Sequence, residues 1–209
     1  MTIKPLQSLT SPVIVLLAAG EGRRYGGIKQ LAEIEGQPMV RRVARAVLEH
    51  GVPVIVVTGA HAEEVEAALD DLPLQIIRHA GWQDGMGSSL AAGIRGVDVS
   101  FPQASAALLC LADQPLLGKV LVQQMLQRHA EAPERLLVTE QDGMSGPPVL
   151  FPRDCFAALA TLSGPRGAYA LIEREAARVE RFASTNSLDV DTPKDLQHVR
   201  DWLATYSPR

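Results

Sequence analysis

The sequence predicts an α/β fold: a Rossmann-like, mostly parallel sheet with helices on both faces. Three observations carry this expectation. The apolar runs at 13–18, 52–57, 74–77, 106–112 and 135–139 are continuous rather than alternating, the pattern of strands buried on both sides. Segments of helical period separate most of them. The chain has 209 residues, 46% hydrophobic and 21% charged, enough for one sizeable core and too few for two comfortable ones. We expect a flexible N-terminus over 1–11 and a single domain over 12–205.

The elements follow in order. After the strand at 13–18 comes a glycine-rich loop, then a helix opened by Pro38, a favoured first-turn residue. Met39, Val40, Val43, Ala44, Val47 and Leu48 form its apolar face, Arg41, Arg42 and Arg45 lie outside it, and Gly51 stops it. A strand at 52–57, a helix at 63–69 and a strand at 74–77 follow. Ser88 or Ser89 is placed to cap a helix running to about Ile94. Next come a strand at 106–112, a helix at 117–129 and a strand at 135–139. The rhythm then changes: a Gly/Pro loop at 141–147, a short strand at 148–151, a short helix at 154–162 and a turn at 164–167. A last strand at 178–183 precedes a helix opened by Pro193, with Leu196, Val199 and Leu203 on its apolar side.

Composition excludes some functions. A net charge of −4 gives no electrostatic footprint for nucleic acid. Arg23, Arg24, Lys29, Arg41, Arg42 and Arg45 are a local basic concentration only. Cys110 and Cys155 have apolar neighbours and no metal-ligand spacing, so they read as small buried hydrophobes in a reducing cytoplasm. The apolar run near the N-terminus is too short for a membrane span, and the residues before it lack a signal-peptide arrangement. The five histidines show no metal or triad spacing and read mostly as surface residues.

The loop after the first strand is the most informative segment. Gly20, Gly22, Gly26 and Gly27 let the backbone bend and approach a ligand, and freed N–H groups form an anion-binding concavity. Arg23, Arg24 and Lys29 add positive charge, which together suits a polyphosphate. The loop is no Walker A sequence, because Ile28-Lys29 follows Gly27 instead of Lys-Ser/Thr. Nor is it a dinucleotide fingerprint: its glycine spacing is one residue too long, and the second strand ends at Thr58-Gly59 without an acid. A serine-hydrolase reading of Gly87-Ser88-Ser89-Leu90-Ala91 fails at its last glycine.

The run Leu17-Ala-Ala-Gly-Glu-Gly-Arg-Arg24-Tyr-Gly26-Gly-Ile-Lys29 resembles the signature of MobA-like nucleotidyltransferases, and within them the molybdenum cofactor cytidylyltransferases. Four further segments match in the same order: Trp82-Gln-Asp-Gly85-Met-Gly87-Ser88-Ser89-Leu90, Leu111-Ala-Asp113-Gln114-Pro115, Gly146-Pro-Pro148-Val-Leu-Phe151 and Asp189-Val-Asp191-Thr192-Pro193. The resemblance implies a fold of the nucleotide-diphospho-sugar transferase type. It also implies Mg²⁺-dependent attack of an acceptor phosphate on the α-phosphorus of CTP, with Mn²⁺ as a possible substitute metal. The acceptor it implies is the molybdopterin form of the molybdenum cofactor. The implied partners are a molybdenum hydroxylase of the xanthine dehydrogenase type or its maturation chaperone.

On this resemblance Lys29, Arg24 and Asp113 are the catalytic candidates. Nucleotide contacts fall on Leu17, Ala18, Ala19, Gly20, Gly22, Arg24, Lys29, Gly85, Ser88, Ser89 and Asp113. Ala18-Ala19-Gly20 is the form associated with cytidine rather than guanosine. Asp113, at the end of a strand, and Asp191 are the metal ligands. Asp189 is the alternate, because side chains that alternate along an extended segment point to opposite faces. The acceptor side is Gly146, Pro148 and Arg166.

The sequence departs from the family pattern at Tyr25, Ile28, Pro147, Pro165 and Tyr169. The last three fall on the acceptor side, where Arg166 is the available cation. The alternatives are guanylyl transfer to the same cofactor, cytidylyl transfer to a small alcohol phosphate, or a nucleotide-binding protein that delivers the cofactor without catalysis.

Overall fold

The computed structural model describes residues 11–141, 143–184 and 188–206. The expected flexible segment 1–11 lies, apart from Ser11, outside the described residues. Nine strands and seven α-helices are described. β1 (Val13–Ala18) leads into the glycine loop and a two-strand hairpin, β2 (Glu33–Ile34) and β3 (Gln37–Pro38). Then come α1 (Met39–Leu48), β4 (Val54–Thr58), α2 (Ala62–Ala67), β5 (Gln75–Arg78) and α3 (Met86–Ser100). β6 (Ala106–Leu111), α4 (Lys119–Glu131), β7 (Leu136–Gln141) and β8 (Met144–Pro152) follow. The chain continues through α5 (Phe156–Leu159), α6 (Tyr169–Arg174), β9 (Val179–Ala183) and α7 (Pro193–Tyr206).

Seven strands form one sheet in the order β5-β4-β1-β6-β8-β7-β9. β8 alone runs against its neighbours, so the sheet is mostly parallel, as expected. Alternate buried side chains of the central strands face two apolar layers. Val13, Val15 and Leu17 pack with Leu90, Ile94 and Val97 of α3 and with α5 and α6. Ile14, Leu16 and Ala18 pack with α1, α2 and α4 on the other face. A third, smaller cluster joins Ile34 and Met39 to Val190 and to Leu196, Val199 and Leu203 of α7. α7 thereby anchors the segment that carries Asp189 and Asp191.

β1 has β4 on one side and β6 on the other, so the strand order reverses there. Open α/β sheets bind ligands in the crevice at such a reversal, beyond the carboxyl ends of the strands. The glycine loop leaves β1 at that point and Asp113 follows β6.

Several expectations need correction. α3 starts at Met86 with Gly85 at its N-cap, and neither Ser88 nor Ser89 caps it. It also runs past Ile94 to Ser100. The Gly/Pro loop expected at 141–147 is largely strand: β8 pairs with β7 from Gln141↔Met144 through Thr139↔Gly146. The register then jumps to Val138↔Val149, leaving Pro147 and Pro148 in the bulge. Prolines, which have no N–H to give a ladder, are tolerated at such a bulge. α6 and the β2–β3 hairpin have no separate sequence signal, and Pro38 both ends β3 and stands at the N-cap of α1, one position before its first helical residue. Of the histidines, only His198 is exposed and His129 is fully buried. Both cysteines are free and buried, and burial pushes their thiols up, to about 12 for Cys110 and about 11 for Cys155.

Candidate active site

A cleft of about 520 Å³ opens at the carboxyl ends of β1 and β6. Its walls are the glycine loop, the entry to α3, the residues after β6 and the segment that carries Asp189 and Asp191. Two glycines set its shape. Gly22 has φ +74°, and a Cβ there would lie 2.5 Å from the Gly27 carbonyl oxygen. Its own carbonyl accepts from the N–H groups of Tyr25 and Gly26 at 2.9 and 3.1 Å, closing the turn. Gly85 has φ +93°, and its Cβ would lie 2.6 Å from the Gly164 backbone. That contact is fixed by two bonds, Gly164 N–H to the Asp84 carbonyl at 2.7 Å and Gly87 N–H to the Gly164 carbonyl at 2.9 Å.

Lys29 crosses the floor of the cleft. Its ammonium donates to Asp113 Oδ2 at 2.6 Å and to Asp191 Oδ1 at 3.0 Å. Arg24 meets the other oxygen of Asp191 at 2.8 Å. Burial works against the Lys29 charge, but Asp113 and then Asp191 outweigh it and hold its pKa above the usual lysine value. Asp189 lies in the same cleft and accepts from Gln114 Nε2 at 2.9 Å. Burial raises its pKa despite that bond, and the nearby charges of Asp113 and Asp191 add to the rise.

Two buried amides hold this arrangement. Gln30 donates to the carbonyls of Ala18 and Gly20 at 3.2 and 2.5 Å, tying the loop to the end of β1. Gln114 donates to Asp189 and, at 3.3 Å, to the Pro147 carbonyl in β8. Val190 N–H donates to the Asp113 carbonyl at 2.8 Å, which brings the Asp189–Asp191 segment against the end of β6.

The model of the MobA-like NTP transferase domain matches residues 14–179. The chain belongs to that family. The transferase is 32% identical over 195 residues to nicotine blue oxidoreductase of Paenarthrobacter nicotinovorans, covering 87% of this chain and 93% of that one. It is similar to the solved homologue of Rv0371c from Mycobacterium sp. strain JC1, with 29% identity, TM-score 0.79 and coverage of 94% and 98%. It is also similar to Rv0371c of Mycobacterium tuberculosis H37Rv solved in complex with manganese, with 25% identity, TM-score 0.75 and coverage of 91% and 98%. The shared fold is of the nucleotide-diphospho-sugar transferase type, and the enzyme class is nucleotidyltransferase.

Most of the site residues inferred from sequence meet in this transferase's cleft. Leu17, Ala18, Ala19, Gly20, Gly22, Arg24, Lys29, Gly85, Ser89, Asp113, Asp189 and Asp191 all line it. Ser88 does not. Its hydroxyl lies 3.1 and 2.8 Å from the carbonyls of Gly81 and Gly85 and 3.0 Å from His79 Nε2, so it braces the turn before α3. Gly146, Pro148 and Arg166 also lie outside the cleft lining. The Pro148 carbonyl accepts from Thr139 Oγ1 at 2.7 Å, and the Arg166 guanidinium stacks 5.0 Å from the Tyr169 ring centre. The expectation that Asp189 and Asp191 face opposite ways fails, because the segment forms no strand and both carboxylates reach the cleft. Gln30, Trp82, Met86 and Gln114 escaped sequence reasoning. Gln30 directly follows the run that ends at Lys29, and Trp82, Met86 and Gln114 are marked only by lying inside matching segments.

Among the described residues no group of three or more His, Cys, Asp or Glu is arranged to hold a metal alone. Two carboxylates that share one cation nonetheless suit Mg²⁺, which takes one or two carboxylates and completes its shell with water and phosphate. Asp113 Oδ1 is buried without a hydrogen-bond partner among the described residues, leaving one oxygen uncommitted. Among those residues no helix is long and apolar enough to cross a membrane.

Proposed function

We propose that the chain is a cytidylyltransferase acting on the molybdopterin form of the molybdenum cofactor. The observation that carries this is the Lys29 ammonium held between Asp113 and Asp191 beneath the glycine loop. An oxygen of the acceptor's terminal phosphate attacks the α-phosphorus of CTP in line. A new P–O bond forms, the bond to the β-phosphate oxygen breaks, and pyrophosphate leaves with the electron pair. Such a displacement needs alignment and charge neutralisation rather than a protein nucleophile.

The loop backbone from Gly20 to Gly22 cradles the triphosphate, while Lys29 and Arg24 bind its oxygens and stabilise charge on the departing pyrophosphate. Asp113 and Asp191, with Asp189 as the alternate, would hold Mg²⁺ or Mn²⁺. Bound there, the metal supplies neutralisation of phosphate charge. Ala18 and Ala19 leave room for a pyrimidine edge against the backbone, with Gly85 and Ser89 on the ribose side. Small side chains at these positions support CTP. The acceptor approaches past β8 and the 163–167 segment, where Gly146, Pro148 and Arg166 lie. The protein then acts in the cytoplasm and hands its product to a molybdenum hydroxylase or its chaperone.

A second reading has one observation in its favour, the redox name of the Paenarthrobacter nicotinovorans relative. It requires nicotinamide binding at a loop whose glycine spacing does not fit that fingerprint.

The test is pyrophosphate release with Mg²⁺ and molybdopterin-type cofactor, comparing CTP, GTP, ATP and UTP, alongside NADH and NADPH oxidation. The expected result is release with CTP and no nicotinamide oxidation. A preference for GTP overturns the cytidine assignment and keeps the chemistry. Nicotinamide oxidation without pyrophosphate release overturns the transferase reading. Lys29→Ala should lower turnover by orders of magnitude, whereas a non-catalytic carrier loses only affinity.

A further inference from the structure

Both proposed metal ligands are already neutralised by the chain's own cations. Asp113 Oδ2 and Asp191 Oδ1 share the Lys29 ammonium at 2.6 and 3.0 Å. Asp191 Oδ2 is met by Arg24 at 2.8 Å. The two cations differ in setting: the Lys29 side chain is 12% exposed and that of Arg24 is 75% exposed. The inner charge belongs to the floor of the cleft and the outer one stands at its mouth. An ammonium and a divalent cation compete for the same carboxylate oxygens, and two cations a few ångströms apart repel strongly in a partly dry cleft.

We propose that Lys29 is an internal counter-ion which a triphosphate draws away from Asp113 and Asp191, so that metal and nucleotide bind this cleft as a coupled pair. The proposal rests on the nucleotidyl-transfer reading and adds an order of events to it. In the free protein the charge of the two aspartates is already met by Lys29 and Arg24, only Asp113 Oδ1 is left without a partner among the described residues, and a divalent cation gains little by displacing Lys29. A triphosphate is a stronger attractor for Lys29 and Arg24 than two single carboxylates are. Once both cations turn to phosphate, Asp113 and Asp191 need a new positive charge. The coupling is reciprocal, so metal must tighten nucleotide binding by the factor with which nucleotide tightens metal binding. The device keeps the cleft from capturing metal idly, and it keeps the triphosphate from settling before its charge can be fully neutralised.

The experiment is Mn²⁺ binding to the full chain, read from the loss of the free-ion signal in electron paramagnetic resonance. It is run with Mn²⁺ alone and with a CTP analogue carrying a methylene between the α- and β-phosphorus atoms. Free Mn²⁺–analogue complex is subtracted from a protein-free control. Lys29→Met, without nucleotide, should bind Mn²⁺ about tenfold or more tightly than the wild type, because the competing charge is gone. The wild type should gain a similar factor when the analogue is added, and Lys29→Met should gain little.

Equal or weaker Mn²⁺ binding by Lys29→Met overturns the counter-ion. If the analogue binds but leaves wild-type Mn²⁺ affinity unchanged, the coupling is overturned while the nucleotide site stands. If no analogue binds under any condition, the nucleotide reading itself falls. Should Lys29→Met fail to fold, Arg24→Gln removes the exposed partner of Asp191 and should tighten Mn²⁺ by a smaller factor. Unchanged or weaker binding there overturns the proposal too.

Discussion

Gln114 and Asp189 are joined by a 2.9 Å hydrogen bond across 75 positions of sequence. The amide is buried, and the same nitrogen reaches the Pro147 carbonyl at 3.3 Å. One side chain therefore ties the end of β6, the aspartate segment and the bulge of β8.

Replacing Gln114 by Leu removes the donor from an exposed carboxylate whose ionised form is nonetheless disfavoured by desolvation and by two neighbouring charges. A hydrogen bond to a charged group contributes about 1.5–3 kcal/mol. The expected result is a loss of stability of that order in urea unfolding and a fall of about tenfold or more in kcat/KM for pyrophosphate release. Gln114→Glu, which also places a carboxylate beside Asp189, should do worse than Leu. Equal kinetics for Gln114→Leu and the wild type would show that Asp189 needs no anchor.

Gly22 tests the loop. Its φ of +74° costs a side chain about 1–3 kcal/mol by itself. A Cβ would also meet the Gly27 carbonyl oxygen at 2.5 Å, a backbone atom that cannot turn aside. Gly22→Ala should raise KM for CTP by at least tenfold and leave KM for the acceptor within twofold, on the order of 1.4 kcal/mol of selective loss. Gly20 has open space where its Cβ would be and an ordinary φ, so Gly20→Ala is the matched control. A smaller effect from Gly22 than from Gly20 would separate loop shape from nucleotide binding.

Arg166 probes the acceptor side. It lies outside the cleft lining and stacks on Tyr169, but its segment abuts the cleft rim: a Cβ on Gly167 would lie 3.3 Å from the Met86 sulfur. Arg166→Ala should raise KM for the acceptor severalfold with KM for CTP unchanged, the split expected of a charge that touches only the second substrate. If the acceptor constant does not move, the acceptor enters elsewhere and β8 becomes the next place to look.

The legibility of this molecule follows from how each feature is encoded. Lys29, Asp113 and Asp191 could be named because each sits in a short motif at the end of a strand, and strands buried on both faces announce themselves by unbroken apolar runs. Their mutual bonding could not be read, since it depends on Val190 docking against the Asp113 carbonyl. Ser88 does not cap α3 for a local reason: its hydroxyl is taken up by the carbonyls of Gly81 and Gly85, and Gly85 takes the cap position with a backbone that only glycine adopts easily. Pro147 reads as the end of a loop, with the strand starting only at Pro148, because proline excludes a ladder. The β7–β8 bulge gives both prolines a place inside a strand without one. Gln30 and Gln114 carry no periodic or compositional mark, because buried amides that tie distant segments are a tertiary property.

His129 makes a final, pH-dependent test. It lies in the last turn of α4, fully buried, with Nε2 3.0 Å from Ser105 Oγ and with no partner for Nδ1 among the described residues. Burial lowers its pKa below the usual 6.5, so the folded chain favours the neutral ring. The unfolded chain, with an ordinary histidine, takes up the proton first as pH falls. The contribution of His129 to stability is therefore complete above about pH 6.5 and declines as pH drops toward the folded value. Unfolding free energies from pH 7.5 to 5.5, compared between wild type and His129→Gln, isolate this from the carboxylates that titrate lower. The wild type should lose stability more steeply than the variant across that window. Parallel curves would mean that the ring is protonated equally easily in both states, and that its burial is relieved when the proton arrives.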